Sequence, residues 1–343
     1  MMSVEGQLDE VYERLAKTGP EFEGWLSNHG PMAADALMRI GRAELVDGWL
    51  AGYTSRLEPP PQGRWRIRED DWREALGDPS RLGDWTAFFL WQVEERPWQE
   101  LLADWWQRLL PGGIAGATHA LVRTGHAVRA LGEAGTAARR SELARALGYW
   151  AARWQAVPRQ ESPAGTAPVD RALHLLPSGP DAGGIRERLG ALGREPAWPV
   201  AQARLEPVAE VDAVPAALDA LVDATVARYS TTAHRNPVML VHASTAPRAA
   251  RLALAALPQE LWAGTYRQAW SIAAAVTALY AGDGERVAAP VGDIAETEVA
   301  EGAGGNGDEH VIKFTEVAIE SHRRGNTAAL GAARRAQELI GPA

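Results

Sequence analysis

The 343-residue chain contains no cysteine. This absence excludes disulfide bonds, thiolate metal ligands and cysteine nucleophiles, so any bound metal has to use nitrogen and oxygen ligands. Lysine is nearly absent too, since Lys17 and Lys313 are the only lysines among the 35 basic residues. Because the chain otherwise uses arginine, a retained lysine suggests chemistry that a permanently protonated guanidinium cannot perform.

The chain also lacks an excess of positive charge, and its formal net charge is -9. Nucleic acids and anionic membranes both bind basic surfaces, so we expect neither as a partner. Residues 1–10 lack the basic and apolar regions of a signal peptide, and the most apolar stretch, 269–281, is too short to span a bilayer. The sequence therefore predicts a cytoplasmic protein and leaves its oligomeric state open.

Helical spacing of apolar residues dominates the sequence, whose composition is 46% hydrophobic and 23% charged. The pattern recurs in 4–17, 44–57, 84–95, 97–110, 116–131, 139–155, 214–230, 259–280 and 308–320. It predicts an all-α fold in which residues 1–343 form a single large helical domain around a central cavity for metal and substrate. The prolines and glycines of 158–199 predict an irregular connection or lid, with only a weak helix at 168–176.

Three shorter segments allow local predictions. Pro31 suits the first turn of a helix that Asn28 or Gly30 caps. Residues 236–242 fit either a strand or a buried helix, and 244–247 would cap a further helix over 248–257. Residues 302–307 match G-x-G-x-x-G, but the acidic residues around them would repel phosphate. We interpret them as a flexible loop, with Asp308 as the N-cap of the next helix.

Tryptophan is concentrated in one region, since six of the 14 tryptophans lie between Trp72 and Trp106. Core filling is the expected role of most of them. A tryptophan-lined wall would also suit a flat aromatic ligand.

Two histidines, His119 and His126, lie seven residues apart in the segment 116–131. On a helix they project from one face about 10 Å apart, and the small or apolar residues beside them direct that face to the interior. A buried imidazole needs a hydrogen-bond partner or a metal. A hydrogen-bonded core histidine is the commoner outcome for either residue taken alone.

Three further histidines lie beside predicted helix starts. His29 belongs to an Asn-His-Gly-Pro turn, where a structural role is expected of it alone. His242 ends an apolar run, a position that suits a ligand facing a pocket as well as a solvent-facing turn. His310 shares a helix face with Lys313, three residues later.

Lys313 has two alternative interpretations. Burial would lower the pKa of its amine, and a neutral amine can add carbon dioxide to form a carbamate, which is an oxygen ligand for a metal. Arginine cannot do this because its guanidinium stays protonated. The alternative is a surface ion pair between Lys313 and Glu309 or Glu316.

Four stretches, taken in order, resemble the questin oxidase-like family over about residues 20–325. They are S-N-H-G-P-M-A-A-D-A-L at 27–37, T-H-A-L-V-R-T-G-H-A-V-R-A-L at 118–131, L-V-H-A-S-T-A-P-R-A at 240–249 and D-E-H-V-I-K-F-T-E at 308–316. The resemblance implies oxidative ring cleavage, of Baeyer-Villiger or dioxygenase type, of an aromatic polyketide such as an anthraquinone. The resemblance also implies dioxygen as a partner and a non-haem Fe²⁺ held by histidines and a carboxylated lysine. An earlier view of the family's chemistry implies NADPH as a cofactor.

When the family's site residues are transferred to the matching motifs of this chain, the resemblance implies six candidate catalytic and metal-binding residues: His29, His119, His126, His242, His310 and Lys313. Imidazole and carboxylate-type ligands without thiolate suit iron or manganese. Two histidines seven apart on a straight helix reach one metal only if Gly125 permits a distortion, and otherwise one of them orients the other ligands.

Two functions of other classes remain open. One is a metal-free, NADPH-dependent oxidoreductase in which the histidines act as acid-base groups. The other is a helical protein that binds a polyketide without catalysis. The sequence contains no convincing flavin or nicotinamide fingerprint, which disfavours a flavin-dependent Baeyer-Villiger enzyme.

Overall fold

A computed structural model of the chain describes residues 4–180, 183–282 and 292–342. These residues are mostly helical, which confirms the all-α prediction. The only sheet among them is a two-stranded antiparallel pair, Glu21–Phe22 with Leu26–Ser27. No helix in these ranges combines the length and apolarity needed to cross a bilayer.

The α-helices, numbered α1 to α17 in chain order, are Val4–Leu15, Gly30–Arg39, Val46–Thr54, Trp72–Ala75, Leu82–Glu95, Trp98–Leu109, His119–Glu133, Ala137–Arg153, Val169–His174, Ile185–Leu192, Ala197–Ala203, Val214–Thr232, Pro237–Ala253, Trp262–Tyr280, Glu296–Asn306, Glu309–Arg323 and Ala329–Leu339. Short 3-10 helices cover Ala43–Leu45, Pro79–Arg81, Leu110–Gly112, Val211–Ala213, Ala233–Arg235, Leu254–Ala256 and Gln259–Leu261.

Four helices, α2, α7, α13 and α16, pack on one another in the interior. Gly125 of α7 faces α13 so closely that an added Cβ would lie 2.7 Å from Cα of Ala249. Gly125 therefore allows close helix packing, and it does not interrupt α7, which is continuous from His119 to Glu133. Helices α7, α13 and α16, together with the residue directly before α2, carry the histidines that the sequence singled out.

Helix α13 corrects the prediction of a helix start at 244–247. Residues 237–253 form one helix, and Pro247 lies inside it. An interior proline removes one backbone hydrogen bond and costs about 3 kcal/mol in an isolated helix. Here α7, α12, α14 and α16 pack around α13 and bury its residues 240–250, so tertiary packing maintains a helix that local signals would end.

The glycine-rich segment 302–307 is also different from its prediction. It does not form a flexible loop, because α15 continues to Asn306. A Cβ at Gly302 would lie 2.3 Å from Oε1 of Gln337, and one at Gly304 would lie 2.6 Å from Leu45, so these glycines permit close packing. The predicted N-cap is confirmed: Asp308 accepts hydrogen bonds from the backbone N–H groups of residues 310 and 311.

The proline- and glycine-rich segment 158–199 contains more helix than expected. Helix α9 confirms the weak helix predicted at 168–176, while α10 and α11 were not predicted. Leu189, Leu192 and Trp198 from the latter two helices are buried in the core. Residues 181–182 of the segment lie outside the described residues.

Candidate metal centre

Four imidazoles from four different elements meet in the interior. His29 directly precedes α2, His119 begins α7, His242 lies in α13, and His310 lies in the first turn of α16. Their ring centroids are 4.2 Å apart for His29 and His119, 4.4 Å for His119 and His242, 4.7 Å for His29 and His310, and 5.4 Å for His242 and His310. All four are buried. The structure thus brings together four of the six predicted ligands.

The hydrogen bonds of His29 and His119 determine which ring nitrogen carries the proton. Nδ1 of His29 lies 2.7 Å from Oε1 of Glu309, and Nδ1 of His119 contacts the backbone carbonyl of Gly116. A carboxylate and a carbonyl oxygen only accept, so both Nδ1 atoms donate. Each Nε2 atom therefore presents its lone pair, which is the arrangement typical of metal-binding histidines.

The free lone pairs have no protein partner. Nε2 of His29, His119 and His242 is buried without a hydrogen-bond partner among the described residues. His242 contacts Oγ1 of Thr118 through its Nδ1 at 3.3 Å. Buried polar nitrogens without partners are costly, and a metal ion would satisfy several of them at once. One ligand nitrogen each from His29, His119 and His310 already lies within 4.8 Å of the others.

Electrostatics also favour the neutral form that binds metals. Burial lowers the pKa of His29, His119 and His242 well below the usual value of 6.5. Positive charge on Lys313 and on neighbouring imidazoles lowers these pKa values further. Neutral imidazoles at neutral pH do not have to lose a proton before they bind a metal.

Lys313 lies beside this cluster and is only 1% exposed. Its Nζ has no hydrogen-bond partner among the described residues. Burial lowers the pKa of its amine to about 8, although the nearby carboxylates of Glu309 and Asp308 act in the opposite direction. The alternative of a surface ion pair is therefore wrong, because Lys313 is buried and Glu316 pairs with arginines instead.

His126 does not join the cluster, which corrects its assignment as a ligand. Its Nδ1 lies 2.8 Å from Oδ2 of Asp35, and Arg248 contacts its Nε2 at 3.4 Å. Since α7 is continuous, the seven-residue spacing places His126 nearly two turns away from His119. Both of its ring nitrogens have protein partners, so His126 belongs to a separate buried ionic network.

A cavity of about 460 Å³ adjoins the four imidazoles. Apolar side chains form much of its wall, namely Phe22, Leu26, Ile185, Val238 and Met239. Trp25 is the only tryptophan among the described lining residues and is 68% exposed. The tryptophans of 72–106 do not line this cavity, so the secondary possibility of a tryptophan wall is not realised here. Most of them, including Trp85, Trp105 and Trp106, fill the core, which is the role expected for most of them.

Sequence reasoning missed the backbone that positions His119. Gly116, Ala117 and Thr118 have φ values of 52°, 54° and 73°, three consecutive left-handed residues immediately before α7. Only Gly116 adopts this region without strain. The turn brings the carbonyl of Gly116 onto His119 and the hydroxyl of Thr118 towards His242. The glycine was the one sequence signal for this turn.

Four imidazoles without thiolate suit a divalent first-row metal such as iron or manganese. The remaining histidines, His174, His234 and His322, lie outside the cluster. The resemblance to the questin oxidase-like family stays a prediction based on the four sequence stretches. A scan of the chain against models of known protein families matches none of them, and a search of curated proteins finds no relative.

Proposed function

We propose that the chain is a metal-dependent oxygenase that cleaves a ring of an aromatic polyketide, such as an anthraquinone, with dioxygen. Its metal ligands would be His29, His119, His242 and His310, with Lys313 beside them. The observation that carries this proposal is the set of three buried Nε2 atoms without partners. Two of them belong to rings whose Nδ1 faces an oxygen that only accepts.

The residues of the chain have separable roles in this proposal. Glu309 and the carbonyl of Gly116 hold His29 and His119 in one tautomer, with the lone pair directed away from these partners. The apolar wall of the cavity excludes water from a ligand held beside the imidazoles. A non-haem iron bound there would supply the redox chemistry with dioxygen.

Lys313 is proposed to act as its carbamate. The lone pair of the neutral amine forms a bond to the carbon of carbon dioxide, one carbon–oxygen π bond becomes an oxygen anion, and the amine proton leaves to a base. The product offers an oxygen ligand and a negative charge beside the four imidazoles. Two observations support this role, the burial of Lys313 and its Nζ without a hydrogen-bond partner. NADPH rests on the resemblance alone.

Elemental analysis of protein purified without chelator tests the function. We expect about one iron per chain, and oxygen consumption on addition of an anthraquinone that stops when a chelator removes the metal. Protein that binds no metal after anaerobic incubation with Fe²⁺ would overturn the proposal. Turnover of NADPH by metal-free protein would favour the metal-free oxidoreductase, and tight polyketide binding with neither metal nor turnover would favour a binding protein.

A further inference from the structure

Two hydroxyl groups in the cavity wall form a hydrogen bond with each other and with no other group among the described residues. Oγ of Ser27 and Oη of Tyr149 lie 2.5 Å apart, and both residues are buried and line the cavity. Either hydroxyl can donate, but the bond uses only one of their two hydrogens. Within the described ranges, neither hydroxyl makes another side-chain hydrogen bond. One O–H hydrogen of the pair is therefore left for a group in the cavity.

The hydroxyl pair lies next to the turn that holds His119. A Cβ added at Gly116 would lie 2.5 Å from Oη of Tyr149, so the tyrosine hydroxyl packs directly on this backbone. The carbonyl of Gly116 in turn contacts Nδ1 of His119. A ligand oxygen bound by the pair would thus be held in the same cavity as the imidazoles, on the side of this turn.

The charges nearby indicate which kind of ligand oxygen fits. Arg153, one turn along α8 from Tyr149, also lines the cavity, but its Nε and one terminal nitrogen each lie 2.6 Å from the carboxylate of Glu21. Its charge is already neutralised by this pair. Glu309 adds a further carboxylate to the lining. Arg186 is another cation of the lining, and its side chain is exposed. Beside the hydroxyl pair, however, the charge of Arg153 is already satisfied by Glu21, whereas a neutral carbonyl oxygen needs only a donor.

We propose that Ser27 and Tyr149 form a subsite that donates a hydrogen bond to a carbonyl oxygen of an otherwise apolar ligand. This ligand is the substrate of the proposed function, so its identity rests on that proposed function. Burial raises the pKa of Tyr149 to about 12, so the phenol keeps its proton near neutral pH. A site built to donate to a ligand oxygen discriminates against an analogue of the same shape that lacks this oxygen.

Two planar probes of matched shape and charge test the subsite. Anthraquinone-2-sulfonate carries two ring carbonyls, and anthracene-2-sulfonate carries none. By calorimetric titration of the wild-type protein, we expect the quinone to bind about tenfold more tightly, which corresponds to one good hydrogen bond. Ser27→Ala and Tyr149→Phe each leave one hydroxyl and should retain part of the preference. The double variant should bind both probes with affinities within about twofold of each other.

Tyr266→Phe is the matched control, because Tyr266 is buried but does not line the cavity. It should keep the full preference for the quinone. A double variant that folds, as judged by circular dichroism, and still prefers the quinone tenfold would overturn the subsite, as would a wild-type protein without any preference. Metal content is measured on the same samples. A quinone preference in protein that never binds iron would support the subsite and reject the metal-dependent function.

Discussion

Glu309 accepts a hydrogen bond at 2.7 Å from Nδ1 of His29, a residue 280 positions earlier in the chain. The bond joins the first residue of α16 to the residue that precedes α2. Both side chains are buried, so the pair is shielded from solvent. Because Nδ1–H donates to the carboxylate, the Nε2 lone pair of His29 remains available to the site.

Removal of this carboxylate should weaken metal binding without removing a ligand. We expect Glu309→Ala to lower metal affinity about 10- to 100-fold, the usual effect of losing a partner that orients a metal-bound histidine. Titration of chelator-treated protein with Fe²⁺ under anaerobic conditions measures it. Glu296→Ala is the control, since Glu296 pairs with Arg323 near the surface. Equal affinities for both variants would show that Glu309 does not orient His29.

Replacement of the clustered histidines should remove metal and activity together. We expect this result for His119→Ala and His242→Ala, because each supplies an unpartnered Nε2 atom. Elemental analysis and oxygen consumption are the two measurements. His174→Ala, His234→Ala and His322→Ala serve as controls and should keep both properties. Full metal content in both cluster variants would exclude His119 and His242 as ligands.

Lys313 offers a sharp test of the carbamate. Lys313→Arg should keep the helical fold but lose metal and activity, because a guanidinium stays protonated and cannot add carbon dioxide. Lys313→Glu should recover part of the metal, since it provides a carboxylate at the same position. Metal analysis and circular dichroism distinguish loss of the site from loss of the fold. A folded, metal-loaded and active Lys313→Arg variant would contradict the carbamate.

His126 should be important for stability and dispensable for metal binding. His126→Ala removes one hydrogen-bond partner of buried Asp35, which still pairs with Arg129, and one contact of Arg248. Each buried hydrogen bond that is lost costs about 0.5–1.5 kcal/mol, so the midpoint of urea unfolding should fall. Metal content per folded chain should stay near the wild-type value. Loss of metal without loss of stability would show that His126 is a metal ligand.

The ionic network around His126 predicts a loss of stability in acid. Burial by itself would raise the pKa of Asp35 and Glu316, but the guanidinium of Arg129 between them lowers both, that of Glu316 to about 2. A carboxyl group whose pKa is lower in the folded chain than in the unfolded chain stabilises the fold at pH values above its unfolded pKa of about 4. That contribution disappears as the pH falls from about 4 towards 2.

Urea unfolding at a series of pH values from neutral to acidic checks this expectation. Wild-type stability should decline steeply below about pH 4, where the unfolded chain takes up protons that the folded network does not. The Arg129→Gln variant should be less stable than the wild type at neutral pH. It should also lose less stability on acidification, because the cation that lowers both pKa values is gone. Parallel curves for the two proteins would show that Arg129 does not control these carboxyl groups.

Much of the helical architecture follows from local sequence. The spacing of apolar residues is a property of each segment, and it identified most of the long helices close to their observed bounds. The cap at Asp308 and the position of Pro31 in the first turn of α2 were equally local. Such features depend on backbone groups within one turn of the helix, so no knowledge of distant residues is needed.

The errors occurred where packing overrides local preference. Pro247, Gly302 and Gly304 would weaken a helix in isolation, yet they lie within α13 and α15 here, because residues of neighbouring elements pack closely against these positions. No local signal separates a glycine that ends a helix from one that allows close contact. The same limit applies to Gly125, which the spacing of His119 and His126 suggested as a point of distortion.

The sequence by itself determined the chemistry available, namely a helical chain without thiols that offers eight imidazoles and two lysine amines. Tertiary structure alone decided which histidines meet. His29, His119, His242 and His310 converge because their four elements pack together, whereas His126, nearly two turns along α7, faces Asp35 and Arg248. A helix fixes the direction of a side chain relative to its own axis, but only the packing of the other helices determines what that side chain contacts.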